Sequence, residues 1–221
     1  MEYIRRTLED KFLRMSDFFK VVLVTGARQV GKTTMLRHLA EEEGKGRGYV
    51  SLDDPFVREA AQSDPALFFQ VYKPPVIIDE VQKAPQLFEQ IKIIADSQES
   101  TGQIWLTGLQ QYSMMRKIRE SLAGRIGIAE LYGLSQSEIK GVEFSNELDF
   151  SLPCLLERKA IAGKIDAVEV FDFIWRGGMP QIISASADMR EEYFNSYTET
   201  YLMRDASEDG GIANTMRFSK F

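Results

Sequence analysis

The sequence predicts an α/β protein, with a five-stranded parallel sheet carrying helices on its faces and a smaller helical subdomain after it. Three observations carry that expectation. Short β-branched apolar runs alternate with longer amphipathic stretches over the first two thirds of the chain. These runs are apolar at successive positions, as strands buried on both faces must be. Beyond residue 140 the helical stretches follow one another with no strand between them.

The elements follow in order. VVLVT (21–25) is too short for a helix and is bounded by Gly26, so it reads as the first strand. KTTMLRHLAEEE (32–43) places Met35, Leu36 and Leu39 on one helical face and stops at the glycines of GKGRG (44–48). YVSL (49–52) reads as a second strand, closed by Asp53-Asp54-Pro55 as a turn. DPALFFQVY (64–72) reads as a helix, and VIID (76–79) as a buried third strand after Pro74-Pro75. PQLFEQIKIIADSQ (85–98) has proline at its start and helical apolar spacing. IWLT (104–107) is the fourth strand, YSMMRKIRESLAG (112–124) a helix closed by Gly124, and RIGIAELY (125–132) the fifth strand. Residues 152–162, 166–176 and 187–205 then read as helices, with a sharp break at Gly177-Gly178-Met179-Pro180. The expected division is a core over 1–140 and a helical lid over 141–221.

Composition narrows the class of function. The chain has 221 residues, enough to bury a core without metal or disulfide staples. Its single cysteine, Cys154, forms no internal bridge and reads as a small buried hydrophobe. One histidine, His38, and no CxxC argue against a zinc site. No stretch reaches 18 apolar residues, and the N-terminal MEYIRRTLEDKF lacks the apolar region of a signal peptide. The expected setting is the reducing cytoplasm, away from membranes. A net charge of −6 argues against nucleic-acid binding by bulk charge.

Residues 26–33, Gly-Ala-Arg-Gln-Val-Gly-Lys-Thr, match G-x-x-x-x-G-K-[ST] in full. The pattern sits directly after a strand and before a helix, the context it needs. Successive backbone N–H groups of Gly26, Ala27, Arg28, Gln29, Val30 and Gly31 would turn toward an anion, helped by the positive end of the helix. Lys32 would reach the β- and γ-phosphates, Thr33 would offer a hydroxyl to Mg²⁺, and Thr34 would sit near the α-phosphate. The side chains of Arg28 and Gln29 read as fillers facing solvent.

VIIDE (76–80) ends in two carboxylates at the carboxyl edge of the same sheet. Asp79 would hold Mg²⁺ opposite Thr33, and Glu80 would polarise the attacking water. A small-molecule kinase has no need of Glu80 there, so the pair favours hydrolysis. The chain has no Asn-Lys dipeptide and no Asp-x-x-Gly, which favours ATP over GTP. Thr107 and Gln110, where the fourth strand ends, are candidates to hold the water and report the γ-phosphate; the bland alternative is a turn rich in hydrogen-bonding residues. Arg125 could neutralise transition-state charge on a neighbouring subunit's nucleotide or make a structural salt bridge. Arg116, Lys117 and Arg119 read as a solvated basic face. Tyr193, Phe194, Tyr197 and Tyr201 read as core or interface.

Taken together these residues resemble the AAA-type ATPases of bacteria and archaea that pair a P-loop core with a C-terminal domain of unknown function. The matching segments are VVLVTGARQVGKTT (21–34), YVSLDDP (49–55), VIIDEVQKAP (76–85), IWLTG (104–108), ESLAGRIGI (120–128), GGMPQ (177–181) and YTETYLMRD (197–205). The resemblance implies a P-loop NTPase core of the ASCE type. It puts the Walker A role on Lys32 and Thr33, the Walker B role on Asp79 and Glu80, a sensor at the end of strand four, and an arginine finger at Arg125. Leu109 stands where the family usually has a small polar residue, which moves the sensor expectation to Thr107 and Gln110. The chain stops at MRFSKF where the family continues, so a truncated C-terminal domain is expected. The expected activity is Mg²⁺-dependent hydrolysis of ATP to ADP that drives a shift of the helical subdomain, with a homo-oligomer if Arg125 acts in trans. The alternatives are a nucleotide-gated switch or binding module with little turnover, whose partner is an unidentified protein or nucleic acid, and a DNA-associated ATPase.

Overall fold

The computed structural model describes residues 3–109, 112–142, 149–162 and 164–202. Its centre is a sheet of five parallel strands in the order β2-β3-β4-β1-β5. The strands are β1 (Val21–Thr25), β2 (Gly48–Ser51), β3 (Val76–Asp79), β4 (Ile104–Thr107) and β5 (Ile126–Glu130). β4 lies between β1 and β3, with Val22 opposite Trp105 and Ile77 opposite Trp105 on the other side.

The alternation along each strand divides the core. Val21, Leu23, Ile78 and Leu106 face one layer with α3 (Pro55–Ser63), α4 (Pro65–Val71), α5 (Leu87–Ser97) and α6 (Tyr112–Ser121). Val22, Val24, Ile77 and Trp105 face the other, with α1 (Leu8–Phe18) and α2 (Lys32–Glu43). Trp105 is fully buried, edge-on to Phe12 with ring centroids 4.9 Å apart. Its indole N–H donates to Ser16 Oγ at 2.8 Å, so the largest core side chain leaves no polar atom unpaired.

Three helices depart from the sequence reading, two of them before β3 and one, Gln136–Ile139, after β5. Asp53-Asp54-Pro55, read as a turn, does close β2 but also opens α3. Asp54 Oδ1 accepts the Phe56 and Val57 N–H groups, and Pro55 occupies the first turn where its missing donor costs nothing. The N-terminal segment, left unassigned, forms α1 because Phe12 anchors it under the sheet. The fifth strand is shorter than expected, Ile126–Glu130.

After β5 come the short α7 (Gln136–Ile139), α8 (Leu152–Ala162), α9 (Ala167–Arg176) and α10 (Ala187–Tyr197). The Gly177-Gly178-Met179-Pro180 break reaches the core, since Leu134 N–H donates to Gly178 O at 2.6 Å. Residues 203–205 of the last expected helix, and the Tyr201 side chain, lie outside the described residues. No helix among the described residues is long and apolar enough to cross a membrane.

Candidate functional site

The carboxyl ends of β1, β3 and β4 meet at one edge of the sheet, and the loop after β1 runs across it. Gly26 begins that loop with φ +142°, and a Cβ there would stand 2.1 Å from the Leu131 carbonyl oxygen. No other residue fits between the loop and the end of β5. Gly31 caps α2 with φ +97°, and Gln29 is left-handed at φ +62° although it has a side chain. Such backbone costs of order 1–3 kcal/mol and persists where its surroundings hold it.

The surroundings are visible. Arg6, 5% exposed, reaches under the loop and donates to Val30 O at 2.8 Å and Tyr132 O at 2.6 Å. Above the loop, Tyr193 Oη donates to Gln29 Oε1 at 2.6 Å and Tyr197 Oη to Arg28 O at 3.4 Å. Gln29 is therefore held by a tyrosine of α10, where the sequence reading had it facing solvent as a filler. Both tyrosines come from α10, so the helical residues touch the phosphate-loop pattern directly.

Lys32, the first residue of α2, is buried at 6% exposure and its Nζ donates to Ala27 O at 2.7 Å and Gly26 O at 3.1 Å. The ammonium is thus held inside the bend, with the positive end of α2 beneath it. Thr33 Oγ1 donates to Asp79 Oδ1 at 2.6 Å, which joins the loop to the end of β3. Asp79 is 6% exposed and accepts two more hydroxyls, Thr107 Oγ1 on Oδ1 at 2.5 Å and Tyr49 Oη on Oδ2 at 3.1 Å. Partial burial, with the Asp79 charge beside it, pushes the Tyr49 phenol above its ordinary pKa and keeps it a donor. The cluster of carboxylate and hydroxyl oxygens is the hard-ligand set that Mg²⁺ prefers.

Glu80 follows at φ +59°, a left-handed conformation that turns the chain sharply out of β3 into the turn Val81–Lys83. Its N–H donates to Thr107 Oγ1 at 3.1 Å, and its carboxylate accepts from the side-chain amide of Gln82. Thr107 is fully buried, and its hydroxyl donates to Asp79 and accepts the Glu80 N–H. Gln110 lies outside the described residues. Thr34 follows Thr33 on the first turn of α2.

Arg125 is not brought to this edge. It precedes β5 at the sheet's amino end, where its carbonyl accepts Val21 N–H, whereas Gly26 follows β1 at the carboxyl end. Its guanidinium grips Asp96 with two bonds, Nε to Oδ1 at 2.5 Å and Nη2 to Oδ2 at 2.9 Å. The pairing with Arg125 holds the Asp96 carboxyl below its usual range.

Sequence reasoning missed Arg6, Tyr49 and Gln82. Gln82 sat in the quoted VIIDEVQKAP segment, and a polar side chain two residues past the acidic pair was the available signal. Arg6 gave none, because its partners lie 24 and 126 residues away.

Residues 18–140 match the family model described as AAA domain, more than half of the chain. The chain belongs to the AAA domain family. Residues 168–221 match a second model, a domain of unknown function, DUF8612. Over 193 residues the chain is 27% identical to the uncharacterized protein Rv2008c of Mycobacterium tuberculosis, covering 86% of this chain. The uncharacterized protein Mb2031c of Mycobacterium bovis matches to the same extent. The chain spans 37% of the length of either relative. Among solved structures, the Walker-type ATPase paby2304 of Pyrococcus abyssi superposes with a TM-score of 0.53 at 15% identity, covering 93% of this chain and 75% of that one. That likeness is one of fold: the AAA core here is a P-loop ATPase fold, followed by a helical C-terminal part.

Proposed function

We propose that the chain binds ATP with Mg²⁺ and hydrolyses the terminal phosphoanhydride. The observation that carries this reading is the contact of Thr33 Oγ1 with Asp79 Oδ1 at 2.6 Å, which sets the phosphate-loop pattern and the acidic strand end into one cluster. The backbone amides of residues 26–33 would cradle the polyphosphate, and Thr34 would stand beside the α-phosphate. Lys32 Nζ, now on the Gly26 and Ala27 carbonyls, lies within the same bend and would transfer its donors to β- and γ-oxygens.

Thr33 and Asp79 would hold Mg²⁺, which when bound draws charge from the β- and γ-oxygens. Glu80 would orient water for in-line attack and take its proton as the bond to the leaving ADP breaks. The contacts of Tyr193 and Tyr197 with the loop support a shift of the lid, residues 141–221, with nucleotide state. The same contacts favour a second reading, a nucleotide-gated module with little turnover. A contribution of Arg125 to hydrolysis would have to come from a second copy of the chain.

Phosphate release with ATP and GTP, beside Glu80→Gln, tests the proposal. Turnover of ATP that falls steeply in Glu80→Gln, to a small measurable residue, while analogue binding persists is the expected result. Wild-type turnover in that variant removes the hydrolytic role of Glu80. Tight ATP binding with no phosphate released over hours selects the gated module.

A further inference from the structure

Resting on the hydrolytic reading, we propose that Gln82 is a positioning residue that fixes the Glu80 carboxylate and ties it to the end of β4. Glu80 sits at a sharp bend and needs more than its backbone to aim its side chain. The backbone is held twice, by Glu80 N–H on Thr107 Oγ1 at 3.1 Å and by Lys83 N–H on Glu80 O at 3.0 Å. The carboxylate is held by Gln82, whose Nε2 donates to Glu80 Oε2. With Oε2 so engaged, Oε1 is the oxygen that accepts from the attacking water.

The other end of the same amide faces β4. Gln82 Oε1 accepts Leu109 N–H at 3.4 Å, and an added Cβ at Gly108 would stand 2.9 Å from it. An amide is the group that can do both at once, because it carries a donor for the carboxylate and an acceptor for the backbone N–H. A glutamate at this position would repel Glu80, and an alanine would release both ends. Gln82 thus makes a link across 27 residues between the hydrolytic carboxylate and the turn that follows β4. A displacement of that turn on contact with the γ-phosphate would be passed to Glu80 through one side chain.

The test is steady-state phosphate release and calorimetric binding of a non-hydrolysable ATP analogue on the whole chain. It compares Gln82→Ala, Gln82→Glu, Gly108→Ala, Glu80→Gln and the double variant Glu80→Gln with Gln82→Ala. Gln82→Ala and Gln82→Glu should lower kcat by about 10–100-fold, a part of the roughly 100- to 10,000-fold that a positioned base supplies. KM and the affinity for the analogue should stay within about threefold, since binding rests on the loop. The double variant should be no slower than Glu80→Gln alone, because a residue acting through Glu80 has nothing left to position.

Gly108→Ala, whose methyl group would stand 2.9 Å from Gln82 Oε1 and 3.1 Å from Met114 Sδ, should lower kcat in the wild-type chain; with Gln82→Glu it decides the matter if Gln82→Ala does not fold. Unchanged kcat in all three single variants of Gln82 and Gly108 overturns the proposal. So does an equal further loss on adding Gln82→Ala to Glu80→Gln, or a loss confined to KM. A wild-type chain without turnover, or wild-type turnover in Glu80→Gln, defeats the hydrolytic reading itself, and the role of Gln82 falls with it.

Discussion

Thr33 Oγ1 and Asp79 Oδ1, 46 residues apart in sequence, meet at 2.6 Å. The contact places a hydroxyl from the start of α2 on a carboxylate at the end of β3, as a shared grip on one divalent ion requires. Thr33→Val, which keeps the shape and removes the hydroxyl, should raise the Mg²⁺ needed for half-maximal turnover by at least about tenfold, on the scale of losing a group that holds or orients a metal. A magnesium titration of phosphate release checks it. An unchanged titration would leave Thr33 a structural partner of Asp79.

Lys32 Nζ has its charge aimed into the bend by the Gly26 and Ala27 carbonyls. Charge-assisted hydrogen bonds are worth about 1.5–3 kcal/mol each. Loss of even one or two to phosphate oxygens should therefore weaken ATP binding by about 100-fold in Lys32→Ala. Isothermal calorimetry measures this, with circular dichroism to show that the fold persists.

Tyr193 and Tyr197 join α10 to the loop through Gln29 and Arg28. If these hydroxyls carry nucleotide state to the lid, an ATP analogue should change the rate at which protease cuts within residues 141–202. The double variant Tyr193→Phe with Tyr197→Phe should lose that difference while retaining the analogue. Limited proteolysis with and without nucleotide gives the answer.

Arg125 and Asp96 form a two-bond pair away from the loop edge. Arg125→Ala and Asp96→Asn should therefore lower the melting temperature by similar, non-additive amounts. In a dilute chain, ATP turnover should be unaffected by either. Turnover that rises with protein concentration, and loses that rise in Arg125→Ala but not in Asp96→Asn, would assign Arg125 a role on a neighbouring subunit.

Glu138 caps α7 and receives the N–H groups of Ser135 and Thr7, both at 2.7 Å, beside the Arg6 guanidinium at 3.4 Å. Desolvation raises its pKa, but the bonds from Ser135 and Thr7 and the charge of Arg6 outweigh it and leave the carboxyl below its ordinary range. The unfolded chain takes up a proton first as pH falls. Stability from this group is thus complete above the usual glutamate value, about 4.3, and is lost as pH drops through the lower folded value. Glu138→Gln should melt lower than wild type near neutrality and lose less on acidification. Thermal melts from about pH 6 to about pH 3 measure both slopes.

Much of this protein was written in local pattern. Runs of three or four apolar residues, too short for a helix and bounded by polar or turn residues, suit a sheet covered on both faces, so VVLVT, VIID and IWLT point to a parallel sheet by themselves. The phosphate-loop pattern is legible for a similar reason: Gly26, Gly31, Lys32 and Thr33 act through backbone angles and reach set within eight residues. The Asp79-Glu80 pair was legible because a polar break in an apolar strand marks the strand's end.

What escaped the sequence depends on distant chain segments meeting. Asp53-Asp54-Pro55 supports a turn or a helix start equally well by composition; Asp54 becomes a helix cap only because α3 packs its Ala61 against the sheet core. Thr107 was visible as a polar residue at a strand end, but only the β3–β4 neighbourhood turns its hydroxyl to Asp79 and Glu80. Arg6 under the loop, the tyrosines above it and Gln82 beside Glu80 owe their positions to side-chain direction and tertiary docking. Sequence spacing carries none of that information, because a hydrogen bond is decided by a few tenths of an ångström and a chain order by none.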